Sequence, residues 1–294
     1  MKTGPGPSAI DRPVVTVLVL TYNQAGTIGR CIESVLCQKT DFAFKVIVVD
    51  DASTDRTPEI IREIAARDAR VVPVLRERNL FHEGGTRKSF GLIDTEFWIA
   101  LEGDDWWTDE RKLQLQMDAL RRHPDCTICA HLTEKLNEKG EVIAVIGREG
   151  LAGEETVFGF EDAPYCHTTS RLYRGGNFAA SGGLPARLAA GDAAFLYWHL
   201  DRGNMVVLNR VMSVYNFSGG GVWSSRTEKA RDELNARLFL LIDQMLDFRH
   251  HEFFKRRYLP EEDWNTRTLM QISVPCPHGK SLCLELSKRP RNRG

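Results

Sequence analysis

Val14 to Leu20 is an unbroken apolar run rich in β-branched residues, the pattern of a strand covered on both faces. Past Thr21, Tyr22 and Asn23, the residues Ile28, Cys31, Ile32, Val35 and Leu36 recur at helical spacing and lay one apolar stripe along a helix. Lys45 to Val49 predicts a second strand, ended by Asp50, Asp51, Ala52 and Ser53. Thr57 followed by Pro58 predicts a helix start, a capping hydroxyl with proline at the first helical position, and Ile60, Ile61, Ile64 and Ala65 supply its buried side. Val71 to Leu75 makes a third strand, Gly84-Gly85 a loop, and Thr86 to Ile93 a short helix leading into the apolar strand Phe97 to Leu101. Strands alternating with helices in this way imply a mostly parallel sheet with right-handed crossovers.

From there the pattern is less regular. Asp109 opens a helix carrying Leu113, Met117 and Leu120, stopped at His123-Pro124. Cys126 to Leu132 and Glu141 to Ile146 predict strands joined by a turn at Asn137 to Gly140, with a polar loop from Gly147 to Glu155. Thr168 to Tyr173 predicts a strand, Gly175 to Gly183 a loop, Ala193 to Arg202 a helix opened by Gly191-Asp192, and Met205 to Tyr215 one or two strands. A second glycine-rich loop contains Trp223, and Glu228 to Phe248 is a long amphipathic helix.

In a parallel α/β sheet, ligands bind beyond the carboxyl ends of the strands. Those ends here carry Tyr22 and Asn23, then Asp50 and Asp51, then Glu102, Gly103, Asp104 and Asp105. Carboxylates crowded at one edge repel one another and call for a positive partner, and a hard divalent cation shared with a substrate diphosphate suits them. The plainer role for Asp104 and Asp105 is to cap the following helix. No Gly-x-Gly-x-x-Gly follows the first strand, which argues against a dehydrogenase-type dinucleotide fold.

Composition narrows this further. A formal charge of −1 over 294 residues gives no global attraction to nucleic acid, and the longest apolar run is far too short to span a bilayer. Residues 1–13 read as a disordered tail without the apolar core of an export signal. Seven irregularly spaced cysteines then indicate reduced thiols in the cytoplasm. Cys126 and Cys129 have CxxC spacing but lie in a predicted strand, and Cys276, His278 and Cys283 offer too few ligands for a closed zinc site. Basic clusters at Lys255 to Arg257 and Lys288 to Arg293 are a candidate peripheral contact with the inner face of the membrane.

The ordered set Val17 to Asn23, Ile32 to Leu36, Val48 to Ser53 and Glu102 to Asp105 resembles the nucleotide-sugar half of family 2 glycosyltransferases of the bacterial, inverting type. The resemblance implies the GT-A fold: an α/β, Rossmann-like nucleotide-diphospho-sugar transferase with a mixed sheet flanked by helices. The domain would span residues 14–225, divided into a nucleotide-sugar half (14–123) and an acceptor half (124–225), with a C-terminal helical extension and basic tail at 226–294. It implies transfer of a sugar from a nucleoside-diphosphate sugar to a hydroxyl on a saccharide or lipid-linked acceptor, with Mg²⁺ or Mn²⁺ as cofactor, in cell-surface polysaccharide or glycolipid synthesis.

Carried over residue by residue, Leu20, Thr21, Tyr22 and Asn23 border the nucleobase, Asp51 accepts a hydrogen bond from it, and Arg87 approaches the diphosphate or base. Asp104 takes the ribose and the metal, Asp105 the metal, and Asp192 is the candidate general base. The residues alone leave Asp192 equally placed as a helix N-cap. Trp106, Trp107 and His167 are candidate acceptor or sugar contacts, although both tryptophans suit a core equally well. One departure concerns a histidine common in the family before a Gly-Gly pair, where this chain has Ser218, with His167 or Arg174 as candidate compensations. Two other readings fit parts of the pattern: a non-catalytic nucleotide-sugar-binding protein of the same fold, and a nucleotidyltransferase.

Overall fold

The structure is a computed structural model that describes residues 12–83, 85–175, 191–217 and 228–258. The terminal tails, the loops around Gly183 and Trp223, Cys276, Cys283, Ser218 and the Lys288 to Arg293 cluster lie outside them.

Strands β1 (Val15–Thr21), β2 (Phe44–Asp50), β3 (Val71–Leu75) and β4 (Phe97–Glu102) run parallel in the order β3-β2-β1-β4. Helices α1 (Ile28–Leu36), α2 (Thr57–Ala65) and α3 (Gly85–Phe90) connect them. The apolar runs form strands because both sheet faces are covered: Val15, Val17, Leu18, Val19, Ile99 and Leu101 are fully inaccessible to water. At the start of α2 the capping group differs from the expected hydroxyl. Asp55 accepts the Thr57 N–H (2.9 Å), and the Thr57 hydroxyl accepts instead from the backbone of Gln24 (2.9 Å), tying the first loop to the second.

Beyond β4 the sheet becomes mixed. It continues through β9 (Leu172–Arg174), β6 (Cys126–Leu136), β10 (Asn204–Asn216) and β5 (Trp106–Trp107), with β7 (Val142–Ile146) paired to β6 and β8 (Glu155–Phe158) to β10. β9 is antiparallel to both β4 and β6, whereas β10 runs parallel to β6. Helices α4 (Lys112–Arg122) and α5 (Gly191–Leu200) complete this half.

Three elements depart from the sequence pattern. Thr168 to Ser170 is a 3-10 turn rather than the start of a strand, because the Ser170 hydroxyl and N–H both return to the His167 carbonyl (2.7 and 2.9 Å). Trp106 and Trp107 form a two-residue strand against Ser213 and Val214 before α4 begins. Glu155, expected to end a loop, instead opens a strand that runs on to Phe158 against β10.

The chain separates into two compact units, residues 1–228 and 229–294. In the second, the end of α6 (Glu228–Met245) and α7 (His251–Tyr258) bury Ile242, Leu246, Phe253 and Phe254, and His251 Nδ1 lies 2.7 Å from the buried carboxylate of Asp243. Lys255, Arg256 and Arg257 are exposed on α7. Among the described residues no helix is long and apolar enough to cross a membrane.

Candidate active site

Parallel pairing sets the ends of β1 to β4 at one edge, with Thr21 beside Asp50, Asp50 beside Leu75, and Leu20 beside Glu102. Strand order reverses at β1, so the crevice lies between the loops that follow β1 and β4. Two non-glycine residues there adopt left-handed backbone, Asn23 (φ 52°) and Ala52 (φ 63°). The two loops are clasped: the Asn23 N–H donates to Ser53 Oγ (2.8 Å), and the Thr54 N–H donates to Asn23 Oδ1 (2.8 Å). Ser53 in turn donates its N–H and its hydroxyl to Asp50. Asp50 is therefore occupied in shaping the loop, and Tyr22 is left with about half its surface exposed (47%).

Asp51 is held from one side. Its Oδ1 accepts from Arg76 Nη1 (2.7 Å) and from the Leu80 N–H (3.0 Å), with both side chains of the ion pair largely buried. Arg76 also donates to the Gly85 carbonyl and to Ser89 Oγ (2.7 Å each), bracing α3. Sequence reasoning overlooked Arg76, although it directly follows β3 and so shares the edge with the strand-end residues already singled out. Arg87 lies within α3, and its side chain is outside the described residues.

Gly103 lets the two loops approach. A Cβ there would stand 2.5 Å from Gln24 Oε1, 2.8 Å from Thr21 Oγ1 and 2.9 Å from Thr21 Cβ. Next to it the carboxylates crowd. Burial, then the charges of Asp104 and Asp192, push Glu102 up to about 7, and its Oε2 is buried with no hydrogen-bond partner among the described residues. Burial raises Asp104, while burial followed by Glu102 and Asp104 raises Asp105 well above the usual carboxylate range. Asp105 Oδ1 accepts from the Asn216 N–H (2.9 Å). His167 Nδ1 lies 3.8 Å from Asp105 Oδ2, but burial, with Arg171 and Lys135, pushes this histidine down to about 3. It is a neutral ring that accepts from the Thr169 N–H (3.4 Å) and stacks on Tyr215 (4.1 Å between centroids), so the Asp105 contact is not an ion pair.

An orphaned carboxylate oxygen and three mutually repelling acids form a donor set that a hard cation fits. Among the described residues, no three His, Cys, Asp or Glu side chains close into a cage.

Asp192, ninety positions from Glu102 in sequence, is near enough for its charge to oppose Glu102 ionisation. It lies in the first turn of α5, its side chain 42% exposed and paired with Arg171 at 3.8 Å. The two tryptophans are placed differently from a sugar platform. Trp106 is 8% exposed beneath the Arg30 guanidinium (3.6 Å), and Trp107 is 4% exposed with Lys112 over its ring (3.9 Å) and its indole N–H donated to the Thr169 carbonyl (3.2 Å). Both pack the base of the site. Arg174 donates to the carbonyls of Leu120 and Pro124 at the end of α4, which removes it as a substitute for the absent histidine.

Residues 16–179, more than half of the chain, match the family model described as Glycosyl transferase family 2. The chain belongs to this family. Its GT-A fold is shared with the mannosyltransferase PcManGT of Pyrobaculum calidifontis, solved with GDP-Man and Mn²⁺ (TM-score 0.57, 18% identity, 92% of this chain and 80% of that one). The Mycobacterium tuberculosis protein Rv1520 is 28% identical over 283 residues, covering 94% of this chain and 81% of the relative. The succinoglycan biosynthesis protein ExoO of Rhizobium meliloti is 39% identical over 100 residues, 34% of this chain and 28% of ExoO. This family 2 protein is a glycosyltransferase.

Proposed function

We propose that this glycosyltransferase moves a sugar, of hexosyl type, from a nucleoside-diphosphate donor to a hydroxyl acceptor in a single displacement with inversion, in the synthesis of a surface polysaccharide or glycolipid. The observation that carries the reading is the convergence of Asp192 on the Glu102–Asp105 cluster, at the same sheet edge as Asp51. Asp51 presents its second carboxylate oxygen to the base of the nucleotide, beside the exposed Tyr22. Asp104 faces the ribose and, with Asp105, the diphosphate side.

Three carboxylates would repel an anionic diphosphate, and the Arg76 cation is already spent on Asp51. Asp104 and Asp105 would hold a Mg²⁺ or Mn²⁺ ion, which neutralises charge on the leaving diphosphate. The presence of Mn²⁺ with GDP-Man in PcManGT supports that choice. Asp192 accepts the proton of the acceptor hydroxyl while that oxygen bonds to the anomeric carbon. The bond from that carbon to the phosphate oxygen breaks, and its electron pair leaves with the nucleoside diphosphate. His167, neutral and stacked on Tyr215, forms a wall near the cluster rather than a charged contact.

Asp192→Asn tests the assignment. The variant should bind UDP or GDP with Mn²⁺ as the parent does and release nucleoside diphosphate from a panel of nucleotide sugars only at a residual rate, about 100- to 10,000-fold below the parent. Activity equal to the parent would sink the base assignment.

A further inference from the structure

Arg171 is the largest buried charge that the steps above leave without a task. Its side chain is 1% exposed, between the Thr168–Ser170 turn and β9. A guanidinium does not shed its proton in proteins, and burying it without a counter-charge costs several kcal/mol. Asp192 is the carboxylate placed against it, with Arg171 Nη2 3.8 Å from Asp192 Oδ2. Its other Nη donates to the main-chain carbonyl of the same residue (3.0 Å). The guanidinium thus grips Asp192 twice, through the backbone and through the side chain.

The far side of the grip is equally specific. Arg171 Nη2 donates to Thr168 Oγ1 (2.9 Å), and the Arg171 N–H donates to the Thr168 carbonyl (3.2 Å). That turn is the one that carries His167 beside Asp105. One buried side chain therefore fixes the distance between the acidic cluster and the first turn of α5. A half-exposed aspartate in a helical first turn would otherwise sample several rotamers. With Oδ2 drawn toward the guanidinium, Oδ1 is the oxygen left to take a proton.

We propose that Arg171 is the positioning residue that aims the Asp192 carboxylate at the acceptor hydroxyl. The inference rests on the reading of Asp192 as the base. It predicts a loss confined to the chemical step, since misplacing a reacting group by about 1 Å costs on the order of 100-fold.

The test uses Arg171→Met, Arg171→Lys, Asp192→Asn and the Arg171→Met/Asp192→Asn pair in the full chain. Turnover is read as nucleoside diphosphate released with Mn²⁺ from whichever of UDP-glucose, UDP-GlcNAc, GDP-mannose or dTDP-rhamnose the parent consumes fastest. Arg171→Met should lower kcat about 100-fold with donor KM within about twofold, and Arg171→Lys should recover part of the loss by restoring charge without the fork. In the Asp192→Asn background, Arg171→Met should cost less than about twofold, because residues acting as a unit are not additive. Arg174→Met, on the same strand but gripping α4, serves as the structural control, with a lower Tm and unchanged kcat per folded molecule.

Full additivity in the double variant, or a rise in donor KM matching the fall in kcat, overturns the positioning role while leaving the base intact. An Asp192→Asn variant as active as the parent overturns the base and this inference together, as does a parent that consumes none of the four donors. If Arg171→Met does not fold, Arg171→Lys carries the same comparison, and parental kcat in it refutes the need for the two-pronged grip.

Discussion

His199 in α5 is buried among Tyr173, Trp198 and Trp98 (ring centroids at 4.6, 4.8 and 5.9 Å), and neither ring nitrogen has a partner among the described residues. Burial, with a smaller contribution from Arg202, pushes it down to about 3. The unfolded chain takes up this proton near pH 6.5, whereas the folded chain resists it until about pH 3. The stabilisation is therefore present above about pH 6.5 and is lost as pH falls toward 3. Working the linkage between about pH 7.5 and about pH 5 gives a loss of about 2 kcal/mol from this one group. His199→Leu should remove that share. Denaturant unfolding at the two pH values, compared between parent and variant, isolates it, since any packing change contributes alike at both. His167, likewise pushed to about 3, and His131, held well below its ordinary value, keep the variant partly acid-sensitive. An identical pH slope in parent and variant would refute the reasoning, and would mean that water or a conformational opening reaches the ring.

Two further outcomes follow from the loops at the sheet edge. Ala52 carries a left-handed φ that costs an L-residue about 1–2 kcal/mol, so Ala52→Gly should raise stability by roughly 0.5–1 kcal/mol after the added freedom of the unfolded chain is deducted. A fall in the denaturant midpoint would contradict this. Gly103→Ala places a Cβ within 2.9 Å of the strand-fixed Thr21 Cβ and displaces Gln24, so it should cost about 1–3 kcal/mol in unfolding free energy and weaken UDP or GDP binding in calorimetry. Undisturbed binding would show that the two loops separate freely.

β1, β2 and β4 were legible because burial on both faces leaves continuous apolar runs, and the edge strand β3, with Val72 and Pro73 exposed, through its run of β-branched residues; parallel pairing then places their polar ends together. This rule singles out Asp51, Asp104 and Asp105 as strand-end residues, and applied to β3 it reaches Arg76 as well. β5 and β8 had no such signature, and β9 was read only in part, at the end of the longer strand expected over Thr168 to Tyr173. They are two to four residues long and owe their pairing to partners 43 to 108 positions away, Trp106 and Trp107 to β10, Leu172 and Tyr173 to β6, and Tyr173 and Arg174 to β4. Local periodicity has nothing to record at that length.

Arg171 shows the deeper reason why a site is read less completely than a fold. In the string Thr168 to Tyr173 an arginine at an alternating position looks like the solvent side of a strand, and a solvated arginine near a carboxylate contributes little. The turn at Thr168–Ser170 changes its direction, and burial then changes its meaning: the same charge must be answered, and Asp192 answers it. Glu102 follows the same logic with the sign reversed. At the end of β4 it is burial first, and then the nearness of Asp104 and Asp192 in space, that raises it to about 7. Charges whose role depends on desolvation are set by three-dimensional neighbours, so the two ends of this site, an acid seeking a cation and a cation holding an acid, emerge together once the chain is folded.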